Sequence, residues 1–425
     1  MKRSKIITGL DIGTTKICAL IAELNGEDNI EIIGIGLAPS NGLRKGIVVD
    51  IDKTSHAIKS AVQKAERMAG QKVESAFVGI AGSHIKSINS HGVVAVTGDE
   101  KEIKESDINR VLEAARIIPV SSEEDILHVL PREFIVDGSP GIQDPLGMSG
   151  IRLEVETHII KGASTSIQNL VKSVLRAGLN VDEVVLEPLA SSQAVLSNDE
   201  KELGVVLADI GGGTTDLIVF HEGSIAHTSV LPVGGNHVSN DIAVGLRTPV
   251  SEAEKIKIMH GSVISEQIQE NEKIEVLAAS GKERKKLSRK LLSQVIEPRM
   301  EEIFNLVKKE LDQVGPKDLT PAGMVLTGGA SLLTGSAELA SEITELPVRI
   351  GEPDYVSGLS NVIDNPVYIK KGDNVPRAIF STAVGLIEYG INNGDAKKGS
   401  TNSNNSREVV SSFFSKLKEW FSEFF

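Results

Sequence analysis

Residues 204–220 read GVVLADIGGGTTDLIVF, and this stretch decides the fold because it repeats a pattern from the start of the chain. The earlier copy, DIGTTKICALI, occupies residues 11–21, so that Asp11 and Asp209 lie 198 positions apart. Each copy has an Asp-Ile-Gly start, a Thr-Thr pair and a β-rich run, which together predict a strand, a tight turn and a second strand. A unit that occurs twice at this distance predicts two similar halves that carry the same loop.

The two predicted turns have the composition of a phosphate-binding loop. Glycine allows positive φ and lets backbone N–H groups point into one concavity, and threonine hydroxyls add further donors. An aspartate at the end of the preceding strand can hold Mg²⁺, usually through water, because Mg²⁺ dehydrates reluctantly. One such loop is weak evidence, since hairpins with Gly and Thr are common. Two matched loops that face each other across a cleft can hold a triphosphate between them.

A third glycine turn follows an apolar strand in MVLTGGASLLTG, residues 324–335. Gly328 and Gly329 let a bulky ligand lie against bare backbone, which suits an adenine ring. Seen alone, such a pair is more often a plain turn between a strand and a helix. This glycine pair is evidence for a nucleotide site only together with the two loops that precede it in the sequence.

The composition narrows the class of protein. The chain has 425 residues, enough for a globular protein of two or more domains, and its net charge is −13. Of these residues 40% are hydrophobic and 24% are charged, as in an ordinary globular protein. The acidic balance argues against a general nucleic-acid binder, which needs a basic face. The single cysteine, Cys18, suggests a reducing compartment. The sequence contains no apolar run of about 18 residues, so no transmembrane helix is predicted. We therefore expect the main body to be cytoplasmic.

The motifs DIGTTK, DIGGGTTD and VLTGGAS, in this order and spacing, resemble the two phosphate motifs and the adenosine motif of the actin, Hsp70 and sugar-kinase superfamily. The resemblance implies an α/β, actin-like two-domain ATPase fold with ATP and Mg²⁺ between the domains, and Mg²⁺ ligands Asp11 and Asp209. The nucleotide contacts that it implies are Gly13, Thr14, Thr15, Lys16, Gly211, Gly212, Gly213, Thr214, Thr215, Gly234, Glu254, Lys257, Gly328, Gly329 and Ser331. Glu254 and Lys257 lie in AEKIK, which is similar to the ribose-contacting helix of the superfamily but also reads as a solvated charged face.

Hydrolysis of ATP needs a side chain that orients the attacking water. The segment LEPLASSQAVL, residues 186–196, resembles the helix that supplies this side chain in actin-like proteins. Gln193 is the first candidate and Glu187 the second, and the alternative is that Gln193 is an ordinary polar residue on a helix. We expect any ATPase activity to be slow and ATP to act mainly as an assembly cofactor.

Within the superfamily, the chain resembles the FtsA family of bacterial cell-division proteins. An α+β module is inserted where that family carries an extra subdomain, and LPVGGNHVSNDIA and IEPRMEEIF are similar to its segments. The resemblance implies self-assembly into an actin-like filament, tethering of the tubulin-like FtsZ to the membrane, and recruitment of later division proteins through the inserted subdomain. The FtsZ C-terminal peptide would bind near the basic run KERKKLSRK, residues 282–290, where Arg299 matches an implicated position. Such a run is more often a solvated helix face.

The resemblance also sets the predicted domain boundaries, which divide the chain into six parts. These parts are subdomain 1A at 5–82, 164–200 and 377–391; the inserted α+β subdomain 1C at 83–163; subdomain 2A at 201–236 and 306–376; subdomain 2B at 237–305; a flexible linker at 392–406; and an amphipathic membrane-targeting helix at 407–425.

The final segment concentrates aromatic residues in a chain that is only 3% aromatic as a whole. Written as a helix, its apolar residues follow the i, i+3, i+4 spacing of one continuous face, with Ser, Lys and Glu on the other. Charges at this spacing forbid crossing a bilayer, so we expect the helix to lie in the plane of the membrane interface. The side chains predicted to enter the lipid are Phe413, Phe414, Leu417, Trp420, Phe421, Phe424 and Phe425. The alternative is a helix that docks on the body or on a partner.

These predictions together describe an ATP-binding, actin-like division protein at the cytoplasmic face of the cell membrane, at the division site. Two other functions remain open at this point. One is the related actin-like scaffold of pilus assembly, which would not need the aromatic tail. The other is an enzyme of the sugar-kinase or Hsp70 class, although no peptide-binding domain follows the ATPase body.

Overall fold

The structure is a computed structural model that describes residues 5–25, 29–98, 100–281, 283–315, 319–353, 357–359 and 376–394. The strands are β1 Lys5–Ile12, β2 Lys16–Asn25, β3 Asn29–Pro39, β4 Leu43–Arg44, β5 Ile47–Val48, β6 Ser75–Ile80, β7 Lys86–Ala95, β8 Glu124–Val136, β9 Ser139–Ile142, β10 Arg152–Ala163, β11 Asn180–Leu186, β12 Val205–Ile210, β13 Thr215–His221, β14 Ser224–Leu231, β15 Lys273–Leu277, β16 Arg284–Ser288, β17 Met324–Thr327 and β18 Val348–Ile350. The helices are α1 Ile51–Ala69, α2 Glu105–Ala115, α3 Ser164–Ala177, α4 Glu187–Val195, α5 Asn198–Leu203, α6 Gly235–Gly245, α7 Val250–His260, α8 Arg289–Val314, α9 Ser336–Thr344 and α10 Ser381–Gly394.

Two five-stranded sheets with the same connectivity form the two halves of the molecule. The first has the order β3-β2-β1-β6-β11 and the second the order β14-β13-β12-β17-β18. In each sheet the first three strands are antiparallel and the last two run parallel to the central strand. The repeated sequence motif lies at the same place in both, at the hairpins β1–β2 and β12–β13. The α/β two-half architecture predicted from that motif is therefore confirmed.

Burial explains why these central strands are continuous apolar runs. All six residues of β12 are buried, as are the last six of β1, because helices or loops cover both faces of the sheet. There are two large apolar clusters: one is built around Leu20 and Ile58 and extends onto one face of the second sheet, at Leu207 and Phe220, and the other is built around Phe304 and Leu326.

The inserted subdomain lies between β6 and α3. It is a four-stranded antiparallel sheet of order β7-β10-β8-β9 with α2 packed on it. A separate small core, which includes Ile103, Val111 and Leu153, holds α2 against the sheet. An independent core makes this α+β unit a packing unit of its own, as the change of sequence pattern predicts.

Three glycines bring α10 into close contact with the first half. A Cβ built on Gly385 would overlap the carbonyl oxygen of Ala190 in α4. A Cβ on Gly9 of β1 would lie 2.5 Å from the Ala383 carbonyl oxygen, which belongs to α10. Gly390 similarly allows the ring of Phe77 to approach to 2.5 Å from its Cβ position. The last described helix is thus packed backbone to backbone against β1 and α4.

Two segments fold differently from what their composition favours. The apolar segment GIVVDID reads as a strand, but only Ile47–Val48 is one, because the Asp50 carboxylate accepts the Lys53 N–H at 3.0 Å and starts α1. The lysine-rich segment from 283 reads as a helix, but Arg284–Ser288 pairs with β15 as an antiparallel strand. There the Ser288 hydroxyl accepts the Lys290 N–H, so α8 begins at Arg289.

Several predicted boundaries fall inside continuous helices. The division at 305/306 lies within α8, that at 236/237 within α6, and that at 200/201 within α5. The helix α10 continues to Gly394, which includes the first three residues of the predicted linker. The rest of that linker and the predicted amphipathic helix lie outside the described residues. Among the helices that are described, none is long and apolar enough to span a membrane.

Candidate nucleotide site

A cavity of about 530 Å³ lies between the two halves, where the β1–β2 and β12–β13 hairpins face each other. The starts of α6 and α8, one face of α7, the turn after β17 and the segment leading into α10 complete its walls. Loops at the ends of central strands, supported by packed cores, are the usual place for a ligand site in an α/β protein. This cavity is therefore the candidate functional site.

The two facing loops have equal length, as the strand register shows. Asp11 pairs with Cys18 across the first hairpin, and Asp209 pairs with Asp216 across the second. Four residues separate the paired residues Ile12 and Ile17, and four separate the paired residues Ile210 and Thr215. The register makes Lys16 equivalent to Thr214 rather than aligning the two Thr-Thr pairs. The two Thr-Thr pairs therefore do not occupy equivalent positions in the two loops.

The loops touch across the cleft. A Cβ on Gly212 would overlap the hydroxyl of Thr15, and a Cβ on Gly213 would lie 2.6 Å from the hydroxyl of Thr14. The Thr15 hydroxyl donates to the Asn236 side-chain oxygen at 3.2 Å, from the first half to the start of α6 in the second. The structure therefore shows the two halves in a closed arrangement.

Four of the five carboxylates that line the cavity lie near one another, and Lys16 is the lysine beside them. Asp11 forms an ion pair with Lys16 at 2.8 Å, and the other three carboxylates are Asp209, Glu187 and Asp216. Burial, and then the charge of Asp11, raise the pKa of Asp209 to about 6. Burial and the neighbouring carboxylates, Asp11 first, raise the pKa of Glu187 well above its usual range. The excess of buried negative charge favours a bound cation.

Asp216 is the site residue that the motif comparison missed. The hydroxyl of Thr214 donates to its Oδ2 at 2.9 Å, while its Oδ1 is buried with no hydrogen-bond partner among the described residues. Burial and then Asp209 raise its pKa well above the ordinary value. An unpaired buried oxygen beside other carboxylates fits a metal-bound water. Asp216 is the last residue of DIGGGTTD, so the sequence motif itself contains this carboxylate.

The carboxylates of the cavity are suited to holding Mg²⁺ through water rather than directly. Within the described ranges, no three acidic, His or Cys side chains come close enough to ligate one ion directly. The predicted mode for Asp11 and Asp209 is ligation through water, for which carboxylate oxygens facing a cavity are suitable. The residues present fit a hydrated Mg²⁺.

Lys257 on α7 lines the cavity from the second half. It is buried, and its Nζ donates to Glu254 at 2.7 Å, to the Ser239 hydroxyl at 3.0 Å and to the Gly235 carbonyl at 3.1 Å. These bonds hold the start of α6 against α7. Both Glu254 and Lys257 line the cavity, so neither lies on a solvated helix face away from the site.

The turn after β17 brings bare backbone to the cavity. Gly328 has φ of +85°, and a Cβ there would overlap Asp209 Oδ1. Only glycine combines this left-handed conformation with so close an approach. The Ser331 hydroxyl donates to the Gly328 carbonyl at 2.7 Å and is buried, so Ser331 supports the turn and does not line the cavity.

Most of the predicted site residues line this cavity. They are Asp11, Gly13, Thr14, Thr15, Lys16, Glu187, Asp209, Gly211, Gly212, Gly213, Thr214, Glu254, Lys257, Gly328 and Gly329. Thr215 is buried and donates to the Val233 carbonyl at 2.9 Å, and Gly234 packs against the Gly211 carbonyl, so both support the second loop from behind. Gln193, the first candidate for orienting water, is not a lining residue, whereas Glu187 is. Residues from distant segments, Arg289 and Thr382, also line the cavity and were not predicted.

Arg299, the predicted partner-binding residue, lies on α8 and does not line the cavity. Its guanidinium makes two bonds to the Asp241 carboxylate, at 2.6 and 3.2 Å, and also pairs with Glu302. The hydrogen bond that Arg299 donates to Asp241 is the main cause of the raised pKa of Arg299. An acidic peptide would therefore have to compete with Asp241 for this side chain.

Two matched halves, with glycine loops facing each other across a carboxylate-lined cleft, define an actin-like fold. Solved structures agree with this class. The chain is similar to the PilM-PilN type IV pilus biogenesis complex, with a TM-score of 0.65, 17% identity, and coverage of 91% of this chain and 98% of that one. It is also similar to MreB5 of Spiroplasma citri bound to ADP, with a TM-score of 0.54, 16% identity, and coverage of 94% and 99%.

Sequence comparison identifies the family within this class. Residues 206–385 match the family described as cell division protein FtsA, and residues 82–161 match the SHS2 domain inserted in FtsA. The cell division protein FtsA of Pseudomonas aeruginosa is 45% identical over 423 residues, which cover 99% of this chain and 98% of that protein. The chain belongs to the FtsA family of cell division proteins. The SHS2 match covers the inserted subdomain formed by β7 to β10 and α2, apart from the end of β10.

Proposed function

We propose that the chain binds ATP with Mg²⁺ in the closed cleft, self-assembles, and tethers FtsZ filaments to the membrane at the division site. The observation that carries the proposal is the pair of equal-length loops that touch across a cavity lined by five carboxylates. A triphosphate held by both loops would favour the closed arrangement, because each half would contribute contacts to one ligand. Nucleotide then stabilises the form of the protein that assembles.

The residues of the site divide the binding task. Backbone N–H groups and hydroxyls of the two loops would bind phosphate oxygens, and Lys16 adds a positive charge. The carboxylates of Asp11, Asp209 and Asp216 would hold Mg²⁺ through water. The ion supplies neutralisation of the phosphate charge, which the acidic site could not otherwise tolerate. Gly328 and Gly329 offer bare backbone to the adenine.

Glu187 is proposed as the residue that orients the attacking water, in place of Gln193. We expect Glu187→Gln to retain ATP binding and to lower phosphate release by about 100-fold, since positioned proton acceptors contribute at least this much. The side chain in the empty site has a raised pKa, so a neutral isostere should fold normally. Single-turnover phosphate release, with ATP affinity measured in parallel, checks this result.

Gln193→Ala is the matched comparison, because Gln193 belongs to the same helix but does not line the cavity. It should leave both affinity and phosphate release unchanged. A loss of turnover in Gln193→Ala with normal turnover in Glu187→Gln would reverse the assignment.

Membrane attachment is proposed for the aromatic tail, from the sequence pattern alone. Burial of one large apolar side chain is worth about 1.5–3 kcal/mol, so one tail would bind reversibly, whereas a filament that displays many tails would bind through avidity. Lysines and glutamates nearly balance on the polar face. We infer that apolar burial, rather than attraction to anionic lipid, drives the binding.

The test of the tail is co-sedimentation with vesicles of phosphatidylethanolamine and phosphatidylglycerol. The full chain should pellet, and more so with ATP and Mg²⁺, whereas a chain ending at Ser406 should remain in the supernatant. Trp420→Glu should weaken binding by at least about 10-fold, while Glu419→Gln on the polar face should change little. Equal pelleting of the full and shortened chains would remove the membrane from the proposal.

The partner contacts are proposed by family resemblance. The C-terminal peptide of FtsZ would dock near β16 and the first turns of α8, where Lys285, Lys286 and Lys290 gather positive charge. Arg299 would take part by exchanging its bond to Asp241 for a peptide carboxylate. Later division proteins would bind the inserted subdomain.

A further inference from the structure

The inserted subdomain touches the nucleotide site through a buried histidine. His128 of β8 is 6% exposed, and its Nε2 accepts the backbone N–H of Leu186 at 3.1 Å. Leu186 ends β11, and the next residue, Glu187, begins α4 and lines the cavity. A side chain of the inserted subdomain therefore holds the backbone immediately before a carboxylate of the site.

The surroundings of His128 keep this bond in one form. Burial lowers the pKa of His128 to about 4, although Glu183 acts in the opposite direction. The ring is therefore neutral near pH 7, and Nε2 remains an acceptor. Tyr389 of α10 packs edge-on to the ring, with 6.4 Å between centroids, and donates its hydroxyl to Glu183 at 2.7 Å. The contact is enclosed by β11 and α10 of the first half.

A second buried histidine connects the inserted subdomain to the other half. His158 of β10 is 1% exposed, and its Nε2 lies 2.9 Å from the hydroxyl of Thr228 in β14. Its Nδ1 lies 2.7 Å from the Asn89 side-chain oxygen, which only accepts, so Nδ1 carries the proton and Nε2 accepts from Thr228. Ser87 adds a bond to the Thr228 carbonyl at 3.0 Å. Burial also lowers the pKa of His158 to about 4.

The two contacts exist in a structure whose loops touch across the cleft. The inserted subdomain is a single sheet with its own core, so it moves as one packed unit. It cannot follow both halves if they separate. Opening of the cleft would therefore strain or break the bond of His128 or that of His158.

We propose that the inserted subdomain clamps the two halves in the closed arrangement, with His128 and His158 as positioning residues, and so raises the affinity of the cleft for nucleotide. The inference rests on the proposed function, because it assigns a regulatory part to the same site. Coupling of this kind is reciprocal. Any protein that binds the inserted subdomain and shifts it must change nucleotide affinity by the same factor that nucleotide changes its own binding.

The test compares two buried threonines that each lose one hydrogen bond on conversion to valine. Thr228→Val removes the partner of His158 across the two halves. Thr157→Val is the matched control, since its hydroxyl donates to the Ser90 carbonyl at 2.9 Å wholly inside the inserted subdomain. We expect Thr228→Val to weaken binding of ATP with Mg²⁺ by at least about fivefold, and Thr157→Val to bind like the unaltered chain. Equal affinities for both variants would overturn the clamp.

The first contact has its own test. His128→Leu should weaken ATP binding to a similar extent, and His128→Gln should restore most of it, because the glutamine oxygen can reach the position of Nε2 and accept the same N–H. A merely structural role would not give this rescue at equal thermal stability. If the unaltered chain fails to bind ATP, the proposed function fails. If it binds and the variants at His128 and Thr228 match it, only the clamp fails.

Discussion

Gly212→Ala is expected to lower the affinity for ATP by at least about 100-fold, an effect that corresponds to about 2.7 kcal/mol. The Cβ would overlap the Thr15 hydroxyl and lie 3.1 Å from the Thr15 Cβ, so the two halves could not close fully. Overpacking of this size typically costs about 1–3 kcal/mol or more. Gly212 is not among the glycines with positive φ, so its own backbone accepts alanine. Titration with ATP and Mg²⁺ measures the loss.

Gly211→Ala provides the control in the same loop. Its Cβ would meet only the Thr214 carbonyl oxygen at 3.4 Å, an ordinary contact on its own side of the cleft. The stability of this variant and its closed arrangement should be nearly those of the unaltered chain. Combining Gly212→Ala with Thr15→Gly should recover part of the affinity, because the opposing side chain is gone. If Gly212→Ala bound ATP as tightly as Gly211→Ala, contact between the loops would not be needed for binding.

Asp209→Asn should have opposite effects on the empty and the loaded protein. Burial and Asp11 raise the pKa of Asp209 from 3.8 to about 6, so its ionised form destabilises the empty fold. This penalty is fully present above pH 6 and is relieved as the pH falls from about 6 to about 4. Removing the charge should stabilise the empty protein at pH 7 by about 2–3 kcal/mol. Affinity for ATP with Mg²⁺ should fall strongly, because a ligand for the ion is weakened.

Urea unfolding at pH 7 and pH 5, with and without ATP and Mg²⁺, tests both the predicted gain in stability of the ligand-free protein and the predicted loss of ligand affinity. The variant should lack the gain in stability that Asp209 gives the unaltered protein on acidification across this window. Asp199→Asn, on the exposed side of α5, is the control and should change neither quantity by more than about 0.5 kcal/mol. An empty Asp209→Asn protein that is less stable than the unaltered one would contradict the electrostatic account.

The glycine loops and their aspartates were predictable because hairpin, glycine and carboxylate chemistry are local. Asp216 was not found, because its register equivalent in the first hairpin is Cys18, and only burial beside Asp209 with an unpaired Oδ1 marks it as a site residue. Arg289 and Thr382 reach the cavity from segments far away in sequence, and no local pattern marks them. Gln193 and Glu187 stand on one helix, and the sequence does not say which of them faces the cavity.

Secondary structure was misread where local preference and tertiary pairing disagree. The basic run at 282–290 is rich in lysine, which favours helix, yet β16 forms because it pairs with KIEVL of β15. Conversely, the apolar run at 46–52 suggests a strand, but Asp50 caps a helix within it. In both segments a partner or a capping bond decides the outcome, and periodicity does not contain that information.

The seating of α10 has a mechanical consequence. Because Gly9, Gly385 and Gly390 let this helix lie directly on β1, α4 and Phe77, traction applied beyond Gly394 would load these contacts in shear along the helix axis. Close-packed interiors deform little and transmit strain. The same α4 begins with Glu187, so a pull on the C-terminal end of the chain would reach the carboxylates of the cleft within one helix length. Tension could thus act on this protein as an input, in addition to ligands.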